Sequence, residues 1–312
     1  MAVQFGVHLG IQNASVTQLR RLWTMLDEKG MDWISLWDHL YEAPPAGGTQ
    51  PHFEAFSMLG ALAVDTSRAR IGCLVFCSQY RNIGILTKGA ISVDHLSGGR
   101  FEMGMGSGWH EQEAEAFGFD FPSQGRRFDV LEGQLEAINK WRRGERVTQS
   151  SPSVELRDAA MLPGPMGPMP LWIGGLGPRR TLKMAGMHAD GWNAAYASPA
   201  QYRELNAILD DWCDQAGRGP DDVERSINLS FALSNDDVPT VRASLESQWG
   251  PAAERIISGS LLGRPEDAME QIAPFVDAGA QLVNIAIRPP WDEELVLEYV
   301  ENVVPLMRKE WG

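Results

Sequence analysis

Residues 33–41 read WISLWDHLY, an apolar run of β type that passes directly into Asp38 and His39. An imidazole exchanges protons near neutral pH and serves as general acid or base, and a carboxylate beside it can hold the ring in one orientation. The same pair would also serve as a turn cap and a rim histidine, so its neighbours must decide. A second polar cluster is GMGSGWHEQE, residues 104–113, where Gly106, Ser107 and Gly108 can expose backbone N–H groups beside Trp109, His110 and Glu111. A G-x-G-x-G run is a weak signal, because glycine within a strand often marks only a tight bend. The third cluster, IGGLGPRRTLKMAG at 173–186, is more specific. Gly174, Gly175 and Gly177 let a ligand approach the backbone, Pro178 suits a first helical turn, and Arg179 and Arg180 add positive charge at a helix N-terminus. That combination favours a phosphate group.

These clusters need a scaffold that brings distant strand ends together. Short apolar runs at 3–9, 33–37, 69–76, 100–106, 170–175, 189–194, 227–233 and 281–287 have β character. Between them lie longer segments with apolar residues at i, i+3 and i+4, such as RRFDVLEGQLEAINKWRRG and PAQYRELNAILDDWCDQAG, several ending in glycine. Strands apolar on both faces, alternating with crossover helices, argue for a parallel sheet, and eight such units closing on themselves give an α/β fold of the (β/α)8 TIM-barrel type. An open doubly wound sheet is the competing arrangement. Residues 145–170, rich in Pro, Gly and Ser, read as an insertion with a short hairpin, and 232–263 as extra helical material before the last unit. Neither marks a boundary, so residues 1–312 are read as one domain.

Composition narrows the partners. With 44% hydrophobic and 22% charged residues the chain has an ordinary globular make-up, and no apolar run approaches the roughly 18 residues of a membrane span. The start, MAVQFGVHLG, reads as a first strand and not as an export signal, which predicts a cytoplasmic protein. A formal charge of −14 without a basic cluster argues against nucleic acid. Cys73, Cys77 and Cys213 are expected as reduced thiols, and His8, His39, His52, His95, His110 and His188 show no ligand spacing for a metal hydrolase.

LWDHLY, GCLVFCSQYRN, the block Asp94–Gly118 (DHLSGGRFEMGMGSGWHEQEAEAFG) and Pro170–Ala194 (PLWIGGLGPRRTLKMAGMHADGWNA) together resemble the luciferase-like monooxygenase superfamily, and within it the oxidoreductases that use the deazaflavin coenzyme F420. The resemblance runs nearly end to end. It implies a (β/α)8 barrel with insertions and a homodimer that acts on a small molecule. It sets Asp38 and His39 beside the deazaflavin ring, with Asp38 orienting His39. Leu74 and Val75 would back the ring through a non-prolyl cis peptide. Ser107, Gly108 and Trp109 fall at cofactor-contacting positions, and Gly174, Gly175, Gly177 and Arg179 at the phosphate loop. Trp109 is a departure, since some relatives carry a proton-donating glutamate there; the acid must then be His39, His110, Glu111 or the substrate. No basic cluster suits a sugar phosphate. An obligate hydride carrier implies hydride transfer, with His39 handling the proton. The alternatives are an FMN-dependent monooxygenase on the same fold and a non-catalytic ligand-binding barrel.

Overall fold

The computed structural model describes residues 2–42, 47–151, 154–250 and 253–312. Among the described residues eleven strands are formed: β1 (Gln4–Leu9), β2 (Trp33–Leu36), β3 (Arg70–Cys77), β4 (Phe101–Gly106), β5 (Val147–Ser151), β6 (Val154–Ala159), β7 (Leu171–Gly174), β8 (Gly191–Ala195), β9 (Glu224–Leu233), β10 (Ser260–Gly263) and β11 (Leu282–Ile287). Eight of them, in the order β1–β2–β3–β4–β7–β8–β9–β11, pair in parallel and close when β11 pairs with β1, which is the (β/α)8 barrel. The eight runs of β type in the sequence are these eight strands.

Side-chain alternation builds two layers from each strand. Phe5, Val7 and Leu9 of β1 pack outward into the main core under the helices, whereas Gln4 and His8 take the inward positions. Inside the barrel the tilted pair Trp33 and Trp172, with ring centroids 4.6 Å apart, joins Leu74 and Leu282 in a separate apolar plug. Both tryptophans are fully buried, and truncating either to alanine is worth about 3–5 kcal/mol. The plug divides the interior into an ionic floor at the strand N-termini and an open mouth at their C-termini.

Two segments differ from the sequence reading or fill it in. The 145–170 insertion carries the antiparallel β5–β6 pair, and residues 152–153 between the two strands lie outside the described residues. The 232–263 stretch holds the helices Val238–Trp249 and Ala253–Ile257, as expected, but also β10, which pairs with the last residues of β9. Four residues, SLLG, are too few to show a period. Among the described residues no helix is long and apolar enough to cross a membrane.

Candidate active site

The mouth holds a cavity of ≈ 1060 Å³, and its floor is a bulge in β3. The register of β3 against β4 shifts between Cys73 and Phe76, and the Leu74–Val75 peptide is cis. The bulge sends the Val75 side chain across the neighbouring strands. A Cβ on Gly104 would meet Cys73 O at 2.1 Å, one on Gly106 would meet Val75 Cγ2 at 2.5 Å, and one on Gly174 would meet Val75 Cγ1 at 2.8 Å. These glycines of the GMGSG and IGG motifs are therefore demanded by the bulge itself. Gly108 has a left-handed φ of 75°, and a Cβ there would strike Cys77 Sγ at 2.7 Å.

His39 reaches the cavity, but Asp38 is not what orients it. The Asp38 carboxylate is clamped by Arg81 at 2.6 and 2.8 Å and accepts the Cys77 N–H at 3.0 Å. Arg81 also holds Glu54 at 2.7 Å. His39 is instead held by Glu113, whose Oε2 lies 2.9 Å from Nδ1. Glu113 also accepts the Tyr80 hydroxyl at 2.7 Å and, at 3.4 Å, the Tyr41 N–H. Burial pushes the Glu113 carboxyl up, yet the hydrogen bonds from His39 and Tyr80 outweigh it and keep the group below its ordinary value. Burial, Cys77 and the Glu113 carboxylate drive the Tyr80 phenol upward, so Tyr80 stays a donor. With Nδ1 committed, Nε2 of His39 has no hydrogen-bond partner among the described residues.

The remaining members of the second cluster divide. Trp109 lines the cavity with its ring 5.3 Å from that of His39 and stacks on His110 at 4.9 Å. His110 is buried and not at the cavity wall: it caps the helix Glu111–Ala116, its Nδ1 accepting the Glu113 N–H at 3.3 Å. Glu111 is exposed in the first turn of that helix, and neither it nor Ser107 touches the cavity. The residue overlooked in GWHEQE is Glu113, and its available signal was the three-residue spacing from His110 to Glu113, the distance from an N-cap to position N3.

The glycine loop is only partly free for an anion. Gly174, Gly175 and Leu176 line the cavity; Gly177 and Arg179 do not. Gly175 has φ of 129°, its N–H donates to Asn193 O at 3.1 Å, and its carbonyl accepts the Trp192 Nε1–H at 2.8 Å. Arg180 is neutralised by Asp129 at 2.7 Å and Glu132 at 3.4 Å, whereas Arg179 is exposed without a partner among the described residues. Across the mouth, sequence reasoning overlooked His8, Asn193, Tyr196, Asn228 and Arg288, all cavity-lining. His8 donates to or accepts from Ser35 Oγ at 3.0 Å and is kept neutral, its pKa lowered to about 3 by burial and then by Arg288 and His39. The three cysteines are free and buried, and burial raises the Cys77 thiol to about 12. Among the described residues no group of His, Cys, Asp and Glu could hold a metal ion.

Fold and mouth together define a (β/α)8 barrel with a ligand cavity at the strand C-termini, where barrels of this class carry their chemistry. Within that class the chain belongs to the luciferase-like monooxygenase family, whose profile matches residues 2–282. Along 99% of its length it is 27% identical to 99% of an F420-dependent glucose-6-phosphate dehydrogenase from Microbacterium testaceum (strain StLB037). Among solved structures it is similar to an F420-dependent secondary alcohol dehydrogenase in complex with an F420–acetone adduct, with a TM-score of 0.86, 18% identity, and 98% and 99% of the two chains covered. It is also similar to a long-chain alkane monooxygenase, with a TM-score of 0.82, 13% identity, and 99% and 92% covered.

Proposed function

We propose that this chain is a coenzyme F420-dependent oxidoreductase that transfers a hydride between the deazaflavin and a small organic substrate, with His39 managing the proton. The observation that carries the proposal is the His39–Glu113 pair: one imidazole nitrogen is anchored at 2.9 Å and the other is left to the cavity. The residues present fit a flat tricyclic group with a phosphate-bearing tail. Leu74 and Val75 offer an apolar backing, Gly174 and Gly175 add no side chain beside it, and the exposed Arg179 in the same loop is a charge that a phosphate-bearing tail could meet. A volume of ≈ 1060 Å³ accommodates a ring system and a second small molecule. When bound, the deazaflavin supplies or accepts the hydride at its ring carbon.

The chain's own residues do the rest. Glu113 fixes the tautomer with Nδ1–H donated to it, so Nε2 presents a lone pair to a substrate hydroxyl and takes its proton as the alcohol is oxidised. In the reverse direction Nε2–H donates to the carbonyl oxygen being reduced, while the Glu113 carboxylate balances the imidazolium charge. Asp38 and Arg81 position the β2 and β3 ends, and Trp109 covers His39 where some relatives have an acid. His110 and Glu111 have no role in the proton step, because neither reaches the cavity. The homodimer and a cytoplasmic place belong to the same proposal. The dimer is supported by Ile85 and Leu96, exposed on one stripe of the helix Ile83–Ser97, and by exposed Leu162 and Met166 in a loop docked on that helix through His95 Nε2 and Gly164 O at 2.9 Å.

Titrating the purified protein with F420 and with FMN, followed by tryptophan fluorescence, tests this reading. F420 is expected to bind, and Gly175→Val to weaken it about 30-fold by blocking backbone approach at a positive φ. Tight binding of FMN with none of F420 would transfer the chain to the oxygen-using branch.

A further inference from the structure

Arg288 is a cavity-lining guanidinium that no carboxylate among the described residues claims. Arg81, Arg70 and Arg180 each grip two acidic side chains, in a chain that carries 41 acidic residues against 27 basic ones. Among the described residues Arg288 has only the Tyr196 hydroxyl as a hydrogen-bond partner, at 3.4 Å, and lies against two aromatic faces, with its Cζ 5.7 Å from the Trp37 centroid and 5.6 Å from that of Tyr196. Stacking of this kind holds the fork in place without consuming its N–H donors.

Its supports are themselves fixed. Trp37 Nε1–H donates to His52 Nε2 at 3.0 Å, while His52 Nδ1 bonds Phe53 O at 2.8 Å. Tyr196 is pinned at the end of β8, its N–H donating to Asn228 O at 2.9 Å and its backbone packed against Gly259, where a Cβ would meet Tyr196 Cα at 2.5 Å. Two prolines follow Arg288 and restrict its backbone to extended conformations. Trp37 is also the ring next to His39, with centroids 6.2 Å apart. The uncommitted cation and the uncommitted imidazole nitrogen thus flank one indole. The same lining carries the apolar side chains of Ala232, Leu245 and Ile256 together with the small hydroxyls of Ser230 and Ser260.

From this juxtaposition we infer that Arg288 is a specificity-determining residue and that the substrate is a monoanion: a carboxylate-bearing carbonyl compound, or the corresponding alcohol, with an apolar frame. The inference rests on the hydride-transfer reading above. One planar fork matches one carboxylate in bidentate fashion, and among the described residues the cavity lining offers no second unclaimed guanidinium or ammonium group with which to hold a phosphate dianion. The reaction balances without a further reactant: hydride passes between the deazaflavin and the substrate carbon, the proton between the substrate oxygen and His39 Nε2, and the carboxylate is unchanged.

Calorimetry with benzoate, benzamide and inorganic phosphate, on the protein alone and on the protein saturated with F420, tests the inference separately from the cofactor reading. Benzoate is expected to bind about 10- to 100-fold more tightly than isosteric benzamide, the span of a hydrogen bond to a charged group. Arg288→Met, which keeps an unbranched side chain without the charged fork, should abolish that preference with an unchanged melting temperature and F420 affinity; Arg288→Lys should retain part of it. Equal binding of benzoate and benzamide, or a benzoate preference that survives Arg288→Met, overturns the proposal. So does a loss confined to F420 affinity in Arg288→Met, which would assign the guanidinium to the cofactor, or phosphate binding as tight as benzoate. Failure of F420 to bind, with the benzoate preference intact, would leave the anion site standing and remove the cofactor reading alone.

Discussion

The two ends of the barrel solve the same electrostatic problem with opposite results. At the floor Arg70 bonds Glu102 at 2.9 Å and Glu224 at 3.1 Å, contacts Gln4, and lies over the Trp33 ring at 5.1 Å, while Trp172 Nε1–H donates to the other Glu102 oxygen at 2.6 Å. At the mouth Arg81 grips Asp38 and Glu54 and lies over the Phe56 ring at 5.1 Å. Both are an arginine on β3 or its following loop, a pair of carboxylates and an aromatic face. Beneath the tryptophan plug, every carboxylate of the floor cluster is consumed by the cluster itself. The mouth borders open volume, and there His39 Nε2 and the Arg288 fork are left over. A charged cluster thus reads as architecture when its partners close on one another, and as chemistry when a donor or acceptor remains beside a cavity.

Mutations that separate chemistry from stability sharpen this contrast. The largest effect is expected at the mouth. His39→Ala should lower single-turnover hydride transfer by roughly 10² to 10⁴ with F420 affinity and melting temperature nearly unchanged. Glu113→Gln, which keeps the shape but loosens the imidazole, should cost about 10²-fold in the same step. Normal transfer in His39→Ala would dissolve the distinction between the two ends. The floor should respond in the opposite sense. Arg70→Met strands Glu102 beside Glu224 in a buried site, so it should cost about 3–5 kcal/mol of unfolding free energy in urea titrations, with specific activity of the folded fraction intact.

The smallest effect concerns pH. Burial, with Glu224 adding to it and Arg70 opposing it, pushes the Glu102 carboxyl up to about 7, above its unfolded value of about 4.3. The folded state therefore binds a proton that the unfolded chain releases in this window. The associated stability is present in full below the unfolded value and is lost as pH rises through about 7. Between pH 5.5 and 8 the melting temperature of the native chain should fall more than that of Glu102→Gln, by on the order of 2–5 °C. Parallel pH profiles would mean that Glu102 is ionised throughout, its Arg70 contact outweighing burial.

What could be read from the chain alone was whatever depends on periodicity and on local chemistry. The eight barrel strands and the crossover helices follow from runs of β type and from i, i+3, i+4 spacing, and a histidine three residues beyond β2 must emerge at the mouth, because strand direction in a parallel barrel is common to all units. Pairings between distant segments could not be read in this way. Asp38 is adjacent to His39 in sequence, yet backbone geometry sends it to Arg81, and His39 is met by Glu113, 74 residues further on, lifted into place by a helix of six residues too short to declare itself by period. The GMGSG run is a weak signal in the sequence and the IGG glycines read as ligand contacts, while the structure assigns Gly104, Gly106 and Gly174 to a bulge three strands wide. The same holds for Arg179 and Arg180: adjacent and chemically identical, they differ only in whether Asp129 and Glu132 lie within reach. Which charges are spent and which remain available is a property of three-dimensional neighbours at 3 Å or so, and the tertiary structure alone decides it.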